Sequence, residues 1–105
     1  MYGYSGKILH IDLKTQKTWI EEKPEEWYKL WIGGVSMATR LCWENITQGC
    51  DPYSPENPVC IANGIFTGTP VPVGGKFGMA DKSPMTGFIG DSLSGSWFSI
   101  ALKRA

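Results

Sequence analysis

Residues 51–95 read DPYSPENPVCIANGIFTGTPVPVGGKFGMADKSPMTGFIGDSLSG. Eight of the chain's 13 glycines lie between Gly64 and Gly95, among Pro70, Pro72, Pro84 and many Ser and Thr. Disordered linkers share that composition. This stretch differs from them in being threaded with Val59, Ile61, Phe66, Val71, Phe77, Met79, Phe88 and Ile89. Glycine raises the entropy lost on folding, so an ordered chain keeps it where a side chain would obstruct something. Two obstructions fit here: a tight turn, and a ligand lying against the main chain.

Asp51-Pro52 and the Ser54-Pro55-Glu56-Asn57-Pro58 run set a proline turn at the start of the stretch. Residues 59–62 and 76–82 read as strands. Ser92 or Ser94 is placed to cap a last helix, with Trp97, Ile100, Ala101 and Leu102 as its apolar side and Lys103 and Arg104 suiting its C-terminal end. Before the stretch, residues 7–13 alternate, with Leu9, Ile11 and Leu13 on one face and His10 and Asp12 on the other. A polar turn over 14–17 and a return strand over 18–22 complete a hairpin, in which His10 is expected to be exposed. Pro24 with Glu25 and Glu26 marks a helix start. Trp27, Leu30 and Trp31 follow at helical spacing until Gly33-Gly34. A second helix is expected from Val35 or Ser36 to Ile46, with Ala38, Leu41 and Cys42 as its apolar stripe.

The 105 residues allow one domain with a modest core. Lys+Arg 10 balance Asp+Glu 10, so no basic field favours nucleic acid. No apolar run approaches the roughly 20 residues of a membrane span. The MYGYSGK start lacks a leader's basic and apolar regions. The cytoplasm is therefore the expected compartment. Cys42, Cys50 and Cys60 are odd in number and widely spaced, which argues against a disulfide framework, a zinc site with His10 or an iron–sulfur cluster. They are expected to be packing residues.

Side-chain catalysis finds little support. One His and no nucleophile motif leave no triad to propose, and Glu21-Glu22 and Glu25-Glu26 read as solvated faces. Gly74-Gly75-Lys76 lacks the spacing of a phosphate loop. What remains is a looser constellation: Gly74, Gly75 and Lys76 before a strand, and Asp91-Ser92-Leu93-Ser94-Gly95 before a helix. Helix-start N–H groups and a nearby lysine favour an anionic ligand.

These residues also resemble a known family, the N-terminal domain of the tungsten-containing aldehyde:ferredoxin oxidoreductases. The resemblance begins with MYGYSGKILHIDL, the TQKT turn and WIGG, and extends over essentially all 105 residues. Its most specific pieces are DPYSPENP, GxxTGTP over 64–70, DKSPMTG and GDSLSG. It implies an α+β fold: a β-hairpin start and a mixed β-sheet with two or three short helices. Residues 1–105 would be the N-terminal part of the bis-pterin cofactor-binding domain, shorter than in the family. It implies oxidation of aldehydes to carboxylic acids with ferredoxin as electron acceptor. The cofactors implied are a tungsten (or molybdenum) bis-pterin, magnesium bridging the pterin phosphates, and a [4Fe–4S] cluster whose ligands lie in later domains. On this reading the short chain by itself has no turnover.

Carried over by position, the resemblance assigns cofactor binding to Gly75, Lys76, Leu93, Ser94 and Gly95. It assigns magnesium to the backbone carbonyl of Leu93. Lys76 stands where the family has Arg, keeping the charge without the planar fork. Leu93 stands where it has Asn. A GGRG-type turn reads Gly33-Gly34-Val35-Ser36. The expected partners are the remaining domains or subunit and, for the complete enzyme, ferredoxin. The alternatives are a non-catalytic pterin carrier and a structural or interaction module whose open sheet edges favour self-association.

Overall fold

Small residues set how closely the central helix approaches its sheet. The computed structural model describes residues 3–105; Met1 and Tyr2, part of the N-terminal segment read for a leader, lie outside the described residues. Strands β1 (Ile8–Asp12) and β2 (Lys17–Glu21) form an antiparallel hairpin. Helices α1 (Glu25–Trp31) and α2 (Gly34–Asn45) follow. Then β3 (Cys60–Asn63), β4 (Lys76–Lys82) and β5 (Ile89–Gly95) make an antiparallel sheet in the order β3-β4-β5. Helix α3 (Trp97–Arg104) closes the chain. The class is α+β as expected. The pairing is antiparallel in both sheets of the described residues, where a mixed sheet was expected.

Ala62, Gly78 and Ala80 lie on the sheet face beneath α2 and are buried. A Cβ added at Gly78 would stand 2.4 Å from the backbone nitrogen of Val35. The helix therefore rests on the main chain of β4, and Met37, Ala38, Leu41 and Cys42 bury its apolar stripe there. In α1 the buried residue is Tyr28, with Trp27 and Trp31 packed beside the core and Leu30 exposed. The expected stripe is thus rotated, because α1 presents Tyr28 to Tyr4 and to the core.

The hairpin faces opposite to its hydrophobicity. Leu9, Ile11, Leu13 and Ile20 are all more than half exposed, while Ile8, His10 and Asp12 turn inward. His10, expected to be exposed, is half-buried: its Nε2 lies 2.7 Å from Glu21 Oε2, and its ring stacks on Trp19. Lys23 bridges Glu21 (2.7 Å) to Glu44 of α2 (3.1 Å), and Glu44 also takes Arg40 Nε and Trp27 Nε1. This chain of charge-assisted bonds ties the hairpin to the helices and fixes which face turns in.

The proline turn is fastened to β4. Asn57 accepts from Lys82 N (2.9 Å) and donates to Lys82 O (3.0 Å), while Lys82 Nζ donates to Cys50 O. On the other sheet face Phe98 of α3 meets Phe77 edge-on. Ser96, and neither Ser92 nor Ser94, caps α3, its Oγ accepting from Phe98 N. The two expected caps lie in β5, whose Ser- and Gly-rich sequence has little of the usual strand signature.

Candidate functional site

Four backbone segments meet in a groove of about 290 Å³. The turn 32–34 between α1 and α2 forms one end. The loop 64–66 after β3 forms one wall, and residues 73, 74 and 76 with Leu93 of β5 form the other. Four glycines line it, and Lys76 supplies its one charged side chain. Gly74 is required by close approach: a Cβ there would lie 2.6 Å from Phe66 O. The glycine-rich sequence thus does two things at once, closing tight turns and leaving an open, mostly apolar floor.

Two β-branched residues of this groove hold left-handed backbone. Ile32 has φ 64° and ψ −66°, with Gly33 N donating to Trp31 O at 2.7 Å. That is the rarer, strained hand of the γ-turn. Val73 has φ 60°. Such conformations cost on the order of 1–3 kcal/mol each, persist only where the surroundings over-determine them, and cluster at functional sites. Neither carries a sequence signal, since Ile and Val are the residues least suited to this region.

Lys76 and Gly95 are cross-strand partners, and Ser96 N donates to Gly75 O. Lys76 Nζ lies 3.3 Å from the place a Gly95 Cβ would take, so Gly95 leaves room for the ammonium. Lys76 is exposed and in no ion pair among the described residues. Leu93 pairs with Gly78, is 63% exposed and lines the same groove as Lys76. Gly75 faces Ile100 and Ser99 of α3. Ser94 pairs with Phe77, so alternation along β5 puts it on the sheet face opposite Leu93. Lys76 and Leu93 are therefore brought together in the groove, while Gly75 faces α3 and Gly95 lies beside the Lys76 side chain, neither lining it. The expected helix-start N–H groups of 91–95 are absent because that segment is β5, engaged in the ladder with β4. Ile32, Phe66 and Val73 were not among the candidates.

Behind the floor, Lys103 Nζ donates to Gly3 O (2.6 Å) and Gly64 O (3.3 Å), and burial draws its pKa down. The cysteines lie apart from the groove. Cys42 and Cys50 are buried, and burial raises the thiol of Cys42 and pushes that of Cys60 up to about 12. Cys42 and Cys60 are thus protonated at neutral pH, and Cys42 and Cys50 serve as packing residues.

The model of the family described as "Aldehyde ferredoxin oxidoreductase, N-terminal domain" matches residues 8–105. The chain belongs to this family. It is 41% identical over its full length to a tungsten-containing aldehyde ferredoxin oxidoreductase of Pyrococcus furiosus, and 40% identical to that of Thermococcus kodakarensis. It spans 17% of the length of each of these relatives. Among solved structures it superposes with a TM-score of 0.88 on a chain of the active-site complex BamBC of benzoyl coenzyme A reductase in complex with 1,5-dienoyl-CoA. That match has 26% identity and covers 97% of this chain and 16% of the other. The aldehyde ferredoxin oxidoreductase N-terminal fold accounts for the hairpin, the helix pair and the three-stranded sheet together. Among the described residues no helix is long and apolar enough to cross a membrane.

Proposed function

We propose that residues 1–105 form the N-terminal, cofactor-cradling part of a tungsten or molybdenum bis-pterin oxidoreductase that oxidises aldehydes to carboxylic acids with ferredoxin as acceptor. The observation that carries the reading is the groove: a floor of glycine backbone beside Lys76, a cation in no ion pair among the described residues. The residues fit one face of a flat, phosphate-bearing heterocycle. The glycines admit a planar ring against the main chain, and Lys76 offers charge to a phosphate as a point cation. The groove is at the small end of the roughly 300–1,000 Å³ clefts that bury a drug-sized ligand, and the chain spans 17% of its relatives' length, so on this reading it covers one face of the cofactor and other segments cover the rest.

When bound, such a cofactor supplies two-electron redox chemistry at its metal. The protein's part here is to bind and orient. Lys76 would neutralise phosphate charge, Leu93 would offer its main-chain carbonyl to magnesium, and Gly95 leaves room beside the Lys76 ammonium. Leu93 adds an apolar side chain where the family pattern has an amide. A [4Fe–4S] cluster would take its ligands from elsewhere in the enzyme, since among the described residues no group of three or more His, Cys, Asp and Glu is placed to hold a metal.

The test is native mass spectrometry with metal analysis of the protein purified anaerobically from its source. Tungsten or molybdenum with a mass increment fitting pterin supports the reading, and Lys76→Met is expected to lower pterin retention about tenfold, the scale of one lost charge-assisted bond. Protein free of metal and pterin overturns it. A second reading, a non-catalytic carrier or interaction module, is favoured by the exposed apolar face of Leu9, Ile11, Leu13 and Ile20. It predicts stable association with another polypeptide and no aldehyde-dependent dye reduction by that assembly.

A further inference from the structure

Thr67 is 1% exposed and heads the largest fully buried side chains, although it is polar. Its Oγ lies 2.8 Å from Lys76 O and 3.0 Å from Gly74 O, donating its single proton between the two. Its backbone nitrogen donates to Gly64 O, and Gly64 N donates to Lys76 O. Thr67 therefore stands where the two walls of the groove join. One wall is the 64–66 loop that precedes it. The other is the 73–76 segment, which its hydroxyl grips at two carbonyls.

That second wall needs holding. Val73 is in the left-handed region, and Lys76 N donates to Gly74 O at 2.8 Å across a bend of a single residue. Without the Thr67 hydroxyl, Gly74 O keeps only this bent bond, and Val73 can relax toward ordinary backbone. Lys76 follows directly in the chain, so its height above the floor changes with that relaxation.

We propose that Thr67 is a positioning residue of the groove, its hydroxyl fixing the spacing of the two walls and thereby the placement of the Lys76 ammonium against an anionic heterocycle. This rests on the function proposed above. Thr67 touches no ligand in this account and acts through Lys76.

The experiment uses the protein expressed from its complete gene and purified anaerobically. Pterin remaining after timed dialysis is released by iodine oxidation and measured by its fluorescence. Thr67→Val is expected to lose pterin about tenfold faster than the unsubstituted protein, the loss expected of one hydrogen bond to a cationic group's anchor. Thr67→Ser, which keeps the hydroxyl, is expected to stay within about twofold. In a Lys76→Met background Thr67→Val is expected to add less than about twofold, because residues acting through one another are not additive. A purely packing role would give the same added loss in both backgrounds, and that result overturns the proposal, as does unchanged retention by Thr67→Val. If Thr67→Val does not fold by circular dichroism, Thr67→Cys, with its weak donor, is judged by the same criteria. Absence of pterin from the unsubstituted protein overturns the proposed function and this inference together, a result distinct from retention by the variant.

Discussion

Gly78 shows how much one hydrogen in place of a methyl group decides. Val35 N stands 2.4 Å from the position of its missing Cβ, and backbone on both sides leaves nothing flexible to yield. Gly78→Ala is expected to destabilise the chain by about 1–3 kcal/mol, the usual cost of overpacking, measurable as a lowered midpoint in urea denaturation. Tyr28 offers the opposite case. Its hydroxyl is buried without a hydrogen-bond partner among the described residues, so Tyr28→Phe is expected to be neutral or stabilising within about 1 kcal/mol. Lys76 and Leu93, singled out by position in a motif, both line the groove. Ile32 and Val73 were not singled out, because their backbone is imposed by the surrounding turns against their own preference. Thr67 was hidden for a related reason: a buried threonine and an exposed one look alike until the carbonyls around it are known.

The hairpin and the last helix illustrate what periodicity can and cannot tell. Alternation along residues 7–13 located β1 and its partner. It could not say which face turns inward, since the deciding contacts run through Glu21, Lys23 and Glu44, side chains brought together across the fold. Hydrogen bonding by Lys23 first, then by His10, holds the Glu21 carboxyl below its usual range. For Glu44, burial pushes upward but hydrogen bonds from Trp27, Arg40 and Lys23 prevail, so its pKa is also lowered. A depressed folded-state pKa stabilises above the unfolded value and is lost as pH falls through the folded one. The hairpin is therefore expected to loosen below about pH 4, seen as a change in Trp19 and Trp27 fluorescence that precedes global unfolding. Glu44→Gln is expected to blunt that change. Helix α3 was found by its apolar residues, while its start was misplaced because β5 is built of Ser and Gly and resembles a loop. Its docking rests on Lys103, and Lys103→Met, which strips two carbonyls of a charged donor, is expected to cost about 1.5–3 kcal/mol in the same denaturation assay.

Across the entire chain, the α+β class and the family were readable from GxxTGTP, DKSPMTG and GDSLSG, whose glycines and prolines encode turns directly. The groove was readable only in part, since it is made by four separate segments of the chain that meet largely through backbone. The large share of exposed apolar side chains, Leu9 to Leu102, fits a chain that spans 17% of its relatives' length. Lys103 has one last consequence. It holds Gly3 and Gly64 at once, across a separation of 100 residues in the first case. A ribosome delivers the chain from Gly3 onward, so the hairpin, the helix pair and the strand β3 all emerge before the lysine that clamps them. The groove floor is thus left unfastened until α3 has been made, and a ligand arriving before that meets a surface without its clamp.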